Sequence, residues 1–327
     1  MRTVIPTLLI LAVTAAPAAA QGWAEKMFAD GLTHDFGTVP HGAQLYHRFT
    51  ITNIYAVRME ITGIVPGCGC VTANPSRRIL EPRETATLDV TMDARRFTGP
   101  KSVTIRVSVG PEYVSTAELK VTANSRADIV FNPGEVTFGA VARGTAATQL
   151  MHVEYAGSLP WQVTDVVVAK ELPLEAKVEE LYRKPGAVGV RLKVTLKAEA
   201  APGSLKEFIY LKTNDAASPL VPVLVEANVL SAVTAVPAQL NVGGVRVGDA
   251  HTRRVVVRGS KPFKVLSVDG GPEVTLLGEP AAAPGQVQPL TLKVQAAQAG
   301  DFKREVKILT DLQPEPVIVV VEGSGVP

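Results

Sequence analysis

The chain has 327 residues, 46% hydrophobic and 20% charged, with 33 Lys and Arg against 31 Asp and Glu and only two cysteines. A formal net charge of +2 excludes the electrostatic footprint of a nucleic-acid binder, and two cysteines exclude a disulfide framework, so burial must stabilise the fold. The length allows several domains of about 100 residues, each large enough to bury a core without staples.

The first residues carry a basic start at Arg2, an apolar run from Val4 to Ala16 broken by Pro6, and the small-residue run Ala18-Ala19-Ala20. This pattern predicts a secretory signal peptide at residues 1–20, cleaved after Ala20. No later stretch offers the ~20 uninterrupted apolar residues of a membrane helix. The expectation is an exported protein, periplasmic, cell-surface or secreted, without a membrane span.

The stretch Phe36-Gly37-Thr38-Val39-Pro40-His41-Gly42 recurs in degraded form as Phe138-Gly139-Ala140-Val141-Ala142-Arg143-Gly144 and as Val242-Gly243-Gly244-Val245-Arg246-Val247-Gly248. In this turn motif Phe36 and Val39 are the apolar positions, Gly37 suits a bulge, and Gly42 suits a turn at positive φ. The first glycines of the copies lie 102 and 104 residues apart, the size of one small sandwich domain.

Between the marks the chain alternates. Leu45, His47, Phe49 and Ile51 face one way, and Tyr46, Arg48, Thr50 and Thr52 the other; Leu88, Val90 and Met92 alternate with Asp89, Thr91 and Asp93. After Met59 to Pro66 and Cys68-Gly69-Cys70 a loop is expected to run to Pro82. Later runs at Val103 to Val109 and Leu119 to Ala123 close the first unit. Val163 to Val168, Val190 to Leu196, Phe208 to Leu211 and Leu220 to Val229 build the second, and Arg254 to Val257, Phe263 to Val268, Leu290 to Val294, Val306 to Leu309 and Val317 to Val321 the third. Leu174 to Leu181 has helical spacing but strand register. The reading is all-β, with three tandem immunoglobulin-like antiparallel β-sandwich domains at residues 31–125, 128–229 and 233–327 joined by short linkers.

The F-G-T-V turn at Phe36 to Val39, His47-Arg48-Phe49 with Asn53, Cys68-Gly69-Cys70, and the strand led by Pro82 occur in an order that resembles DUF1573, a bacterial family of unknown function. The resemblance covers residues 32–125 and implies an immunoglobulin-like module without an established activity. Two positions depart from the family pattern. Tyr55 stands where a Gly is usual, and Pro82-Arg83 replaces the usual Pro-Gly.

The chain lacks a G-x-S-x-G elbow, an H-E-x-x-H helix, a P-loop and a dinucleotide fingerprint, so the sequence predicts no enzyme and no cofactor. A tandem array with open strand edges instead suits a structural or binding protein that presents its domains to a protein partner. Trp161, after Leu159-Pro160, reads as a core plug. The alternative function rests on Cys68 and Cys70, which the later repeats replace with Leu172-Pro173-Leu174 and Pro272-Glu273-Val274. A bridge across so small a loop removes only about 1.5 kcal/mol of chain entropy. With His47 and His41 brought to the same pole, the two cysteines are candidates for a copper or zinc site or for thiol redox chemistry.

Overall fold

The computed structural model describes residues 22–327; the expected signal peptide lies outside them. The chain divides after Asp128 into two compact units. Among the described residues no helix is long and apolar enough to cross a membrane.

The first unit opens with a 3-10 turn, Trp23–Met27, whose Ala24 and Met27 are buried. It continues through β1 (Thr33–His41), β2 (Gln44–Thr52), β3 (Met59–Pro66), β4 (Val71–Pro75), β5 (Ile79–Leu80), β6 (Thr85–Asp93), β7 (Gly99–Gly110) and β8 (Ser115–Asn132). One sheet has the order β2-β6-β4; in the other β8, β7, β3 and β5 are neighbours and β1 also pairs with β8. The alternation read from the sequence is the burial pattern. Leu45, Phe49 and Ile51 on β2 and Leu88, Val90 and Met92 on β6 are buried, as are Val103, Ile105, Val107 and Val109 on β7. Each such side chain contributes roughly 1.5–3 kcal/mol relative to exposure. The stretch from Cys70 to Pro82 is not a plain loop. It contains β4, which pairs with β6 from Val71↔Met92 to Pro75↔Leu88, and β5, which pairs with β3 at Met59↔Leu80. These strands are too short for alternation to reveal.

In the second unit residues Ile129 to Asn132 pair with β10 (Ala147–Ala156). The strands β9 (Val136–Ala142), β11 (Val163–Val167), β12 (Leu174–Lys184), β13 (Ala187–Leu196), β14 (Gly203–Thr213) and β15 (Leu220–Leu230) complete this sandwich, with sheet orders β12-β13-β10 and β11-β14-β15-β9. The helical spacing of Leu174 to Leu181 yields to strand because β12 pairs with β13 along its length. Trp161 is fully buried. A further sandwich follows from β16 (Val233–Val236), β17 (Gln239–Arg246), β18 (Ala250–Phe263), β19 (Val265–Asp269), β20 (Val274–Leu276), β21 (Gly285–Gln295), β22 (Gly300–Thr310) and β23 (Val317–Val326). Its sheets, β16-β18-β21-β20 and β17-β23-β22-β19, enclose a core of their own centred on Val257, Phe263, Leu292 and Val319. The fold is thus all-β, built of tandem immunoglobulin-like sandwiches. Most of its ladders are antiparallel; β9 with β15 and β17 with β23 run parallel.

The repeated glycines mark where β1, β9 and β17 bend. Gly37, Gly139 and Gly243 have φ of 68°, 65° and 68°, and Gly42, Gly144 and Gly248 have 92°, 80° and 91°. The first of each pair kinks the strand, and the β9 and β17 registers slip there, between Thr137 and Ala140 and between Asn241 and Gly244. An Asp35 Oδ1 accepts from the Gly37 N–H at 3.0 Å and an Asn241 Oδ1 from the Gly243 N–H at 2.8 Å, which fixes the kink from the side chain two residues before.

Candidate functional site: the two poles of the first sandwich

At one pole Asn53 organises the turn between β2 and β3. It is fully buried, and burial of an amide demands partners. Its Nδ2 donates to the carbonyls of Val57 (2.8 Å) and Leu80 (3.0 Å), and its Oδ1 accepts from the Tyr55 N–H (3.0 Å). Its backbone bonds Glu84 and Arg83. The turn so held carries Tyr55 outward, where its hydroxyl donates to the Trp23 carbonyl at 3.0 Å and its ring meets Trp23 edge-on, centroids 5.1 Å apart. The β7–β8 loop adds Tyr113. Together Trp23, Tyr55, Ala56, Val57, Met59 and Tyr113 line an open cavity of about 370 Å³. Tyr113 is 57% exposed and the adjacent Val114 75%. The sequence hinted at this site only through Tyr55, an aromatic residue in a turn where Gly is usual; Trp23 and Tyr113 gave no local signal.

At the opposite pole β3 ends and Cys68-Gly69-Cys70 turns into β4. Cys68 and Cys70 form a disulfide with Cα atoms 5.2 Å apart. Cys70 is buried, Cys68 half-buried and Gly69 exposed. The Cys70 N–H points at Cys68 Sγ at 3.0 Å, and Arg96 Nη1 donates to the Gly69 carbonyl at 2.9 Å. Arg96 comes from the 3-10 turn Ala94–Arg96 that ends β6, capped by Asp93. The Asp93 carboxylate accepts from the Arg95 backbone, Nε and Nη2 and lies 3.5 Å from Arg96 Nε. Partial burial alone would raise its pKa, but the Arg95 hydrogen bonds and both guanidinium charges more than offset this and hold it low.

The structure does not gather the four residues proposed for a metal. His47 pairs with Val90 across β2 and β6, whereas the Cys70 carbonyl accepts from the Asp93 N–H, three residues further along β6 and on its other side. That is roughly 10 Å along the sheet and about 10 Å across it. His47 stacks instead on His34 of β1, centroids 3.6 Å apart and planes 9° from parallel, with Phe36 and Phe49 edge-on at the two ends. His41 ends β1, which packs against the Ala94–Arg96 turn; its Nδ1 is buried with no hydrogen-bond partner among the described residues. Among the described residues no group of three or more His, Cys, Asp or Glu stands close enough together to hold a metal ion. The inward face of β2 was read correctly, but His47 lies too far from the strand's start at Gln44 to reach the cysteine pole.

Residues 27–124 match the family model described as a protein of unknown function, DUF1573, so the first sandwich carries the domain its motifs suggested. No curated protein matches the chain. Among solved structures, a protein of unknown function from Porphyromonas gingivalis W83 is 16% identical over 61% of this chain and all of its own, with a TM-score of 0.25. The I67–I69 fragment of the titin I-band is 9% identical over 90% of this chain and 96% of its own, TM-score 0.22. The SGBP-B protein of a Bacteroides ovatus mixed-linkage glucan utilization locus, solved with a mixed-linkage heptasaccharide, is 13% identical over 91% and 68%, TM-score 0.21. Likenesses this distant carry nothing about activity.

Proposed function

We propose that this chain is an exported, non-catalytic binding protein whose first sandwich docks a partner protein at its aromatic pole. The observation that carries the reading is the cavity under Trp23, Tyr55 and Tyr113. Loops at the end of a rigid sandwich are where such folds place recognition. Tyr and Trp supply large contact area at low entropy cost, and they dominate interface hot spots. About 370 Å³ accommodates one or two apolar side chains of a partner. The well-bonded Asn53 turn keeps the pocket formed before binding, which lowers the ordering cost. Export is supported by the leader-like first residues, and a disulfide suits an oxidising compartment.

The test is site-specific photocrosslinking in envelope and secreted fractions. A photoreactive residue replacing Val114 is expected to give one saturable product that Tyr113→Ser abolishes. The same probe at Leu220, exposed on the second unit, serves as control. Equal products from both positions, or a product indifferent to Tyr113→Ser, would refute the reading.

A further inference from the structure

We propose that Cys68 and Cys70 form a thiol–disulfide exchange site for a dithiol on another chain, separate from the aromatic pocket and at the other pole of the same sandwich. Three features of the site support this beyond the presence of two cysteines.

The first is asymmetric access. Cys68 is half-buried beside exposed Gly69, while Cys70 is 4% exposed. An incoming thiolate reaches Cys68 Sγ and not Cys70 Sγ, so attack has one outcome. The partner sulfur bonds to Cys68, the Cys68–Cys70 bond breaks, and the electron pair leaves on Cys70 Sγ, which takes up a proton. The partner's second thiolate then attacks its own sulfur in the mixed disulfide and releases Cys68 as a thiolate. Two electrons and one proton pass to the cysteine pair, a second proton following only when the Cys68 thiolate is protonated, and the partner dithiol, having given up its protons, becomes a disulfide; the reverse sequence reoxidises the pair.

The second feature is stabilisation of the thiolate on Cys68. The Cys70 N–H is aimed at Cys68 Sγ at 3.0 Å. The Arg96 guanidinium is bonded to the intervening Gly69 carbonyl, with Nη1 3.5 Å from where a Cβ at position 69 would stand. Asp93, a nearby carboxylate, accepts from Arg95 and lies 3.5 Å from Arg96 Nε, so it is shared between two guanidinium groups. A hydrogen-bond donor and a cation beside a cysteine favour the thiolate, the reactive species in exchange.

The third feature is the absence of a structural need for the bridge. It spans two positions, so it constrains the unfolded chain little. The backbone around it is held by other bonds, Gly67 N–H to Thr104, Val71 N–H to Cys68 and Asp93 N–H to Cys70. By repeat register the later sandwiches build the same connection with Leu172-Pro173-Leu174 and Pro272-Glu273-Val274.

The experiment uses the full chain from Gln21 with dithiothreitol and then glutathione as probes, alkylation as the quench and intact mass as the readout. Wild type is expected to gain two alkyl groups together, with its β-sheet circular dichroism unchanged. Cys70→Ser is expected to form a glutathione adduct at Cys68 at least about tenfold faster than Cys68→Ser forms one at Cys70. Arg96→Gln is expected to shift the pH profile of Cys68 alkylation, measured in the Cys70→Ser background, towards higher pH; a purely structural Arg96 leaves that profile in place. A bridge that resists dithiothreitol while the sandwich stays folded, equal adduct rates in the two serine variants, or a sandwich that unfolds on reduction would each overturn the proposal. The doubly substituted Cys68→Ala, Cys70→Ala chain is expected to fold with an unchanged transition, and a large loss of stability would assign the bridge to structure instead.

Discussion

His34 and His47 stack face to face, 3.6 Å between ring centroids, although they sit on strands of different sheets. Burial depresses both pKa values, and that of His47, further lowered by the neighbouring His34, falls from 6.5 to about 4 against a smaller opposing effect from Asp30. A stacked pair at this distance cannot hold two charges cheaply.

The linkage has a definite sign. The unfolded chain binds the His47 proton near pH 6.5, while the folded chain binds it only near 4, so the unfolded state holds more protons in between. This contribution to stability is complete above about pH 6.5, is lost as the pH falls towards 4, and does not change below that. Solvent access to the rings limits it to on the order of 1–2 kcal/mol. The chain has two tryptophans, so in a Trp161→Phe background Trp23 emission follows the first unit alone. Urea midpoints are expected to fall from pH 7 to pH 4 more steeply with His47 than with Phe at that position. Parallel curves would remove the histidine pair as a pH-sensitive element.

Gly37 tests the repeat itself. At φ 68° an added Cβ meets nothing within 4 Å, so Gly37→Ala costs backbone strain alone, about 1 kcal/mol. Gly37→Asn is expected to cost about half of that, because Asn tolerates the left-handed region. Gly139 and Gly243 share this conformation and open space, so Ala there is expected to give similar losses in denaturant midpoints of their own sandwiches. A neutral Gly37→Ala variant would contradict the bulge.

The register of these glycines was legible because positive φ and period-2 burial leave marks on the local sequence. The cysteine pole was legible only in part. That Cys68 and Cys70 end up where β2 begins follows from strand direction, but how far His47 lies from them depends on β6 standing between β2 and β4, which alternation does not encode. The aromatic pocket was not legible. Trp23, Tyr55 and Tyr113 are 32 and 58 residues apart in sequence, and only the closure of the sandwich brings their loops to one pole.

Trp161 anchors the second unit. It is fully buried, stacked on Tyr155 at 5.3 Å, and its carbonyl accepts from Arg183 Nη1 at 2.9 Å. Trp161→Ala is expected to cost about 3–5 kcal/mol. Trp161→Phe should cost less, since the ring stack survives and an indole N–H without a hydrogen-bond partner in the described structure is removed. Leu159, two residues earlier and 51% exposed, serves as the control: its Ala variant should stay within about 0.5 kcal/mol of wild type. Thermal unfolding of the second unit measures all three.

Arg83 is the one non-glycine residue with positive φ among the described residues, at 69°, and it occupies the position after Pro82 where the resembled family has Gly. A side chain with a Cβ costs about 1–2 kcal/mol in this region. Glycine relieves that strain but adds about 0.5–1 kcal/mol of unfolded-state entropy. Arg83→Gly is therefore expected to stabilise the first unit by about 0.5–1 kcal/mol, read as a higher urea midpoint by Trp23 emission. The Arg83 side chain is exposed, while its N–H donates to the Asn53 carbonyl at 2.8 Å; the substitution keeps that bond and should leave the aromatic pocket intact. Asn53→Asp makes the opposite change in the same knot. It sets a carboxylate oxygen against the carbonyls of Val57 and Leu80, which leaves buried acceptors unpaired at a cost of about 1–3 kcal/mol. It should also loosen the Tyr55 turn, so crosslinking at position 114 is expected to fall with Asn53→Asp and to persist with Arg83→Gly. Loss of crosslinking in both variants, or in neither, would separate the pocket from the Asn53 turn.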